Sequence, residues 1–329
     1  MDAYALTDVG QVRSMNQDSI FSSTEPIGSL QNLFLVADGM GGHKAGDFAS
    51  RFVIENLVQF FSHEYPDRDV HGILKEGIRT VNRALFEAAS ENLDLIGTGS
   101  TLVAATIKGN VLYVANIGDS RLYLLREQLE QVTRDHSYVE ELVALGKMKR
   151  GSHDYIEKKN IITRAVGTGR EVDIDLFALK LKSRDYVLMC SDGLSNMVDE
   201  LEIEYIIRSE EGIRQKVESL VAAANRNGGR DNISVVLIEP QQVAGLIKQD
   251  LTVRSQHPAA LVRGGGQGTE RHIQKAEVQI QPAAHHRQHL AAHACLPLLV
   301  GLRPLGLERL ARVKKFFFLD RLGQKCHLT

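Results

Sequence analysis

Five aspartates sit beside glycine, asparagine or serine in short polar breaks of this 329-residue chain, spread over more than two hundred positions. Asp18 lies in Arg13-Ser-Met-Asn-Gln-Asp18, and Asp38 in Val36-Ala-Asp-Gly-Met-Gly-Gly-His43. Asp119 lies in Asn116-Ile-Gly-Asp-Ser-Arg121, Asp192 in Cys190-Ser-Asp-Gly-Leu194, and Asp231 in Gly228-Gly-Arg-Asp-Asn-Ile-Ser234. Carboxylates leaving the ends of several strands can converge on one point and make a hard, all-oxygen site, which suits Mg2+ or Mn2+ rather than zinc. The bland alternative is a turn, because Asp and Gly both tolerate positive φ and Asp-Gly is a common hairpin signal. Against it, Asp119 and Asp192 follow apolar runs and continue into Ser-Arg and Gly-Leu-Ser, not into a partner strand. Asp231 precedes the apolar run Ile233-Ser-Val-Val-Leu-Ile238, which puts it at the rim of a sheet.

The elements that must position these residues follow from hydrophobic period. Residues 2–7 and 19–23 read as short strands and 33–37 as a fully buried one. A helix is expected over 47–62, with Phe48, Phe52, Val53, Leu57, Phe60 and Phe61 at three- and four-residue spacing, an aromatic stripe that belongs to the core. A second helix is expected over 70–92. Strands at 101–107, 111–117, 122–125 and 128–133 are separated by tight turns and read as one antiparallel meander. Residues 136–170 read as a short helix and an irregular loop. Strands at 173–180, 185–190 and 233–238 and helices at 199–207 and 211–226 complete the body. Hairpin-linked strands interrupted by helix pairs give an α+β class, antiparallel sheets with helices packed outside.

Residues 1–242 carry 26 Lys/Arg against 36 Asp/Glu, and the remaining 87 carry 13 against 5. An acidic body speaks against nucleic acid as a ligand and accords with bound divalent cations. No stretch of eighteen uninterrupted apolar residues is present, so no membrane span is expected, and the start lacks the pattern of a signal peptide. Cys190, Cys295 and Cys326 form no paired framework, which fits a reducing cytoplasm, with Cys190 a small buried hydrophobe. After Pro240 the texture changes to Gly264-Gly-Gly266, seven histidines and a basic excess. Residues 243–329 therefore read as a poorly structured His-rich appendage, or as non-native sequence from a shifted frame. Its histidines His285, His289 and His293 have helical spacing but no carboxylate or cysteine partners for a metal.

In this order the motifs resemble those of the metal-dependent protein phosphatases of the PP2C (PPM) family, its bacterial branch most closely. They are Arg13 with Asn16-Gln-Asp18, the Asp38 segment, Gly99-Ser-Thr101, Gly118-Asp-Ser-Arg121, Ile162-Thr-Arg-Ala-Val-Gly167, Ser191-Asp-Gly-Leu194 and Arg230-Asp-Asn232, spanning about residues 2–239. Each is weak alone, and the ordered set is specific. The resemblance implies a four-layer α-β-β-α sandwich with two Mn2+ or Mg2+ ions at one edge. Asp38 would bridge them and Gly39 would offer its carbonyl. Asp192 and Asp231 would bind the first ion, and Asp18 would hold the second largely through water. Asp119 with Asp192 would match a weaker third site, and Arg13 would grip phosphate with its planar fork.

The chemistry implied is hydrolysis of phosphoserine and phosphothreonine in proteins by a hydroxide bridging the two ions, opposing a bacterial Ser/Thr kinase. The chain has no Cys-x5-Arg loop for a phosphocysteine route, whereas two ions about 3.5–4 Å apart can activate water and offset phosphoryl charge. Met40 stands where eukaryotic members usually place a histidine proposed as general acid, and it has no proton to give. His43 follows in a Gly-rich helix start, where capping or solvent contact competes with a chemical role. Gln17 stands where glutamate is common. The expected partners are phosphorylated proteins and a cognate kinase, the expected state a monomer. Two rivals differ in their ligand sets. A pseudophosphatase usually lacks one of the core aspartates, and here all are kept. A Ca2+ loop needs the Asp-x-Asp-x-Asp-Gly run and closing Glu, which are missing.

If 243–329 is an appendage, a chain ending at Gln242 should keep the wild-type Tm, metal affinity and phosphopeptide turnover. A Tm lower by more than a few degrees would move the domain boundary into the tail.

Overall fold

Period-two alternation sorts the strand residues of this protein onto two faces, and the resulting faces define its layers. The computed structural model describes residues 1–42 and 45–240. Strands β1 (Asp2–Asp8), β2 (Asp18–Ser23) and β3 (Leu33–Met40) are followed by helices α1 (Ala45–Phe61) and α2 (Val70–Glu91) and a 3-10 turn at Leu93–Leu95. Next come β4 (Gly99–Ser100), β5 (Leu102–Lys108), β6 (Val111–Ile117), β7 (Arg121–Leu125) and β8 (Leu129–Gln131), then α3 (Tyr138–Ala144) and α4 (His153–Lys158). The chain continues through β9 (Asp175–Lys180), β10 (Tyr186–Cys190), α5 (Asp192–Ser195), α6 (Glu200–Ile207), α7 (Ile213–Arg226) and β11 (Ile233–Glu239).

All strand pairings are antiparallel. One sheet has the order β1-β11-β10-β7-β8 and the other β2-β3-β5-β6-β9, with β4 paired to β3. Between them lie Phe34, Val36, Val103, Leu112 and Val114 from the second sheet and Leu122, Leu124, Met189, Val236 and Ile238 from the first. The alternate residues Leu33, Leu35 and Ala37 face α1 and α2, and Leu188, Val235 and Leu237 face α6 and α7. The result is the expected four-layer α-β-β-α sandwich. Helix starts are fixed locally: the side chains of Asp69, Ser137, Ser152 and Asp199 each accept a backbone N–H of the first turn. Phe61 is buried, and Phe48, Phe52 and Phe60 are half-buried against the same core, so the aromatic stripe is structural. Cys190 is buried as expected.

Two expectations are corrected. The meander over 101–133 does not form: β5 and β6 pair in one sheet, β7 and β8 in the other. The chain changes sheets at Gly118-Asp119-Ser120, where Gly118 has φ +100° and a Cβ would meet Thr101 at 2.7 Å. A side chain is excluded there by both conformation and space. The segment 136–170 also holds two short helices rather than one, α3 and α4. They are tied to each other because Glu140 accepts from both Tyr155 Oη (2.7 Å) and the Arg150 guanidinium. Residues 243–329 and His43 lie outside the described residues.

The inter-sheet layer should dominate stability. Leu122→Ala should lower it by about 2–5 kcal/mol, whereas Leu201→Ala, at a position 82% exposed on α6, should change it by less than about 0.5 kcal/mol. Urea unfolding midpoints check both, and equal effects would contradict this layering.

Candidate functional site

Neither Asp-Gly pair is a hairpin turn. Asp38 and Gly39 continue β3, with Gly39 opposite Ser100 of β4. Asp192 and Gly193 open the one-turn helix α5 directly after β10. Both glycines are there for close backbone approach: a Cβ on Gly39 would lie 1.9 Å from the Gly46 carbonyl oxygen, and one on Gly193 would lie 2.0 Å from that of Asn232.

The five aspartates meet at one end of the two sheets. Asp18, at the start of β2, stands opposite Asp38 on β3. Asp192 opens α5 just after β10 and Asp231 precedes β11, and β10 and β11 are neighbouring strands of the other sheet. Asp119 comes from the crossover between the sheets. The Asp38 carboxylate feels the charges of Asp18, Asp192, Asp119 and Asp231. Arg13 reaches the group from the β1–β2 loop, Nη2 donating to Asp231 Oδ2 at 2.7 Å, with half of its side chain exposed. Among the described residues this is the one ion pair made by the five.

Neutral hydrogen bonds hold the backbone in place. The Asp38 N–H donates to Thr101 Oγ1 (2.9 Å), and its carbonyl accepts the Thr101 N–H (2.8 Å) and Ser100 Oγ (3.1 Å). Ser191 Oγ donates to Asp18 Oδ2 at 2.7 Å, joining the two sheets at the site. Asn232 accepts the Gln17 N–H (2.8 Å) and donates to the carbonyls of Val9 and Met15, so it fastens the loop carrying Arg13 to the start of β11. Gln17 in turn accepts the Gly39 N–H through its carbonyl, and its side chain lies against Gly46. The segment containing α3 and α4 touches the site through Lys159, whose Nζ donates to Asn196 Oδ1 (2.7 Å) while Asn196 Nδ2 donates to Asp192 Oδ2 (2.9 Å). Lys159, Asn196, Asp119 and Asp192 share a cavity of about 180 Å3.

Motif reading singles out every aspartate and Arg13, includes Ser191 and Asn232 without giving them a role, and passes over Asn196 and Lys159. Asn232 and Ser191 are each adjacent to a motif aspartate, which was the available signal. Met40 ends β3 opposite Gly99 and adds no proton donor.

The electrostatics follow from crowding and burial. Loss of hydration, reinforced by the neighbouring carboxylates, raises Asp18 to about 7, Asp119 to about 8 and Asp192 to about 6, and raises Asp38 strongly. One carboxylate oxygen each of Asp18, Asp119 and Asp192 is buried with no hydrogen-bond partner. Such oxygens are costly unless a cation takes them, and an all-oxygen set of this density fits Mg2+ or Mn2+. The residues present therefore fit the expected ions.

A pH dependence follows from these shifts. The folded values lie above the ordinary 3.8, so the fold binds more protons than the unfolded chain, and the penalty grows from pH about 4 until the folded values are passed. In EDTA the Tm should fall between pH about 5 and about 8, and saturating Mn2+ should abolish that slope. A Tm that rises with pH in EDTA would contradict the burial of these carboxyls.

Comparison with known proteins agrees with this architecture. The protein phosphatase 2C family model matches residues 10–237. The serine/threonine phosphatase stp of Listeria welshimeri is 38% identical over 245 residues, covering 73% of this chain and 96% of that relative. The crystal structure of the serine/threonine phosphatase Stp1 from Staphylococcus aureus aligns with a TM-score of 0.68 at 35% identity, over 73% of this chain and 95% of that one. The catalytic domain of the serine/threonine protein phosphatase PstP, solved in complex with 2 manganese ions, aligns with a TM-score of 0.62 at 36% identity, over 72% and 96%. With the body matched almost end to end by the family model and by relatives over nearly their whole length, the chain belongs to the protein phosphatase 2C family.

Proposed function

We propose that this protein hydrolyses phosphoserine and phosphothreonine in proteins, using two Mn2+ or Mg2+ ions held by Asp18, Asp38, Asp192, Asp231 and the Gly39 carbonyl. Asp119 and Asp192 hold a weaker third ion on this reading. The observation that carries it is the set of buried, partnerless carboxylate oxygens at the common end of the two sheets. When bound, the ions supply the Lewis acidity that activates water and offsets phosphoryl charge.

The chain's own residues do the rest. Arg13 uses one nitrogen on Asp231, which leaves the other N–H groups of its exposed fork free to face two phosphate oxygens. On this reading the phosphoryl group sits beside the carboxylate cluster, at the end of the sheets where Arg13 meets Asp231. Asp231 holds the guanidinium in this pose, so the same carboxylate serves the cation and the clamp. Met40 has no transferable proton, so the leaving alkoxide takes its proton from water. Among the described residues no helix is long and apolar enough to cross a membrane. By the same reading the partners are phosphorylated proteins and a cognate Ser/Thr kinase, the compartment is the cytoplasm and the protein is a monomer.

The test is hydrolysis of a phosphothreonine peptide with Mn2+, Mg2+ or EDTA. Asp38→Asn and Asp231→Asn should each cost several orders of magnitude in turnover. Turnover within about tenfold of wild type in either variant would reject the assignment of that ligand. Arg13→Ala should raise KM more than it lowers kcat, with Arg13→Lys recovering part of the loss. An unchanged KM would reject the ground-state clamp.

A further inference from the structure

His136 is buried, 7% exposed, and holds both backbone polar groups of one residue of the sheet crossover, Gly118. Its ring Nδ1 accepts the Gly118 N–H at 2.9 Å, and its own backbone N–H donates to the Gly118 carbonyl at 2.9 Å. Its carbonyl in turn accepts the Thr163 N–H at 2.9 Å. The residue that follows Gly118 is Asp119, whose buried Oδ1 has no partner.

The other ring nitrogen decides the tautomer. Nε2 lies 3.1 Å from Asp175 Oδ2 and 3.0 Å from Arg164 Nη1. A neutral imidazole has one N–H, and Nδ1 is occupied as an acceptor, so Nε2 carries the proton and donates to Asp175. Arg164 Nη1 then donates to Asp175 Oδ1 at 2.8 Å rather than to the ring. Asp175 lies on β9 opposite Asn116 of β6, and Asn116 Nδ2 donates to the Arg134 carbonyl at 3.0 Å. The acceptor that fixes the tautomer and the strand that leads into the crossover are therefore one rigid unit. On the far side, the Ser120 and Thr101 hydroxyls are 2.8 Å apart, so the peptides before and after Asp119 are both held.

The aim of Asp119 is thus set by backbone contacts, since no described side chain grips its carboxylate Oδ1. We infer that His136 is a positioning residue for Asp119, acting through the Gly118 backbone in its Nε2–H tautomer, and that it sets the affinity of the weaker cation site shared by Asp119 and Asp192. This rests on the proposed role of Asp119. It differs from a purely structural anchor, which would affect the whole fold and all cation sites alike.

The test uses the full chain, calorimetric titration with Mn2+ and turnover of a phosphothreonine peptide. His136→Ala should weaken the weakest class of Mn2+ site by roughly tenfold or more and leave the tight pair within about twofold. His136→Asn places an amide oxygen where Nδ1 stood and should recover most of that affinity. Asp175→Ala, at a half-exposed position, removes the acceptor that fixes the tautomer and should weaken the same site while the protein stays folded. In an Asp119→Ala background, His136→Ala should cause no further loss of turnover, because its effect passes through Asp119. Additive losses, equal weakening of every Mn2+ site, or His136→Asn behaving like His136→Ala would each overturn the inference. If Asp119→Ala alone alters neither weak-site binding nor turnover, the role proposed for Asp119 fails, and the inference with it.

Discussion

Mutual repulsion among carboxylates deprived of water is the constraint to which the rest of the molecule answers. Asp18 and Asp119 are buried and Asp38 and Asp192 half-buried at one rim, and their neighbouring charges add to the cost of ionising them. A fold with several such groups at one rim is stable only if that rim is held from outside by strong, independent packing. Three separate apolar layers do so: one between the sheets and one beneath each helix layer. The strands that carry the aspartates run directly out of these layers, so the site inherits their rigidity without contributing to it.

The manner of holding is as informative as the holding. A salt bridge to each aspartate would have relieved the repulsion but consumed the oxygens. Instead hydroxyls and amides pin the backbone, Thr101 and Ser100 at Asp38 and Asn232 at the Arg13 loop, and Ser191 takes a single carboxylate oxygen of Asp18. Neutral donors fix position at modest energetic gain and leave the charge to be balanced by something else. Arginines near the cavity are engaged elsewhere. Arg121 is bidentate to Asp135 and also bonds Tyr123, so it makes no ion pair with Asp119 or Asp192 and only partly offsets their charge from a distance. The arrangement preserves negative charge at the rim and pairs it away at the periphery.

Legibility in the sequence follows the range of the interactions. Antiparallel sheets with helices outside could be read from the blocks of hairpin-linked strands and helix pairs. The four-layer stacking came with the resemblance, because an all-apolar run such as residues 33–37 marks a strand buried on both faces without saying what covers each. The aspartates could be grouped because their motifs occur in a known order. The sheet switch at Gly118-Asp119-Ser120 could not, since three polar residues between apolar strands look the same whether the chain folds back or crosses over. Only the φ of +100° at Gly118 and its contact with Thr101 separate the two outcomes. The roles of Asn232 and Ser191, both inside the ordered motifs, are illegible for a related reason. Their partners lie 215 and 173 residues away, and no spacing rule reaches that far. The paired short helices α3 and α4 were blurred into one because each has fewer than two full turns of period.

Those two helices also show how firmness is distributed around the site. In α3 only Val139 is buried, and α4 buries no residue. Their order comes instead from Ser137 and Ser152 caps and the Tyr155–Glu140–Arg150 cluster, interactions that yield at little cost when solvent competes. A wall of this kind opens at far lower free energy than the sheets beneath it. The contact these helices make with Asp192, from Lys159 through Asn196, is likewise a chain of side chains rather than a packed contact. Carboxylate geometry is therefore fixed by the strands, while the shape of the space beside Asp119 and Asp192 is set by a segment that adjusts independently. The burial pattern thus separates a carboxylate centre held by packed strands from a neighbouring wall held by side-chain contacts.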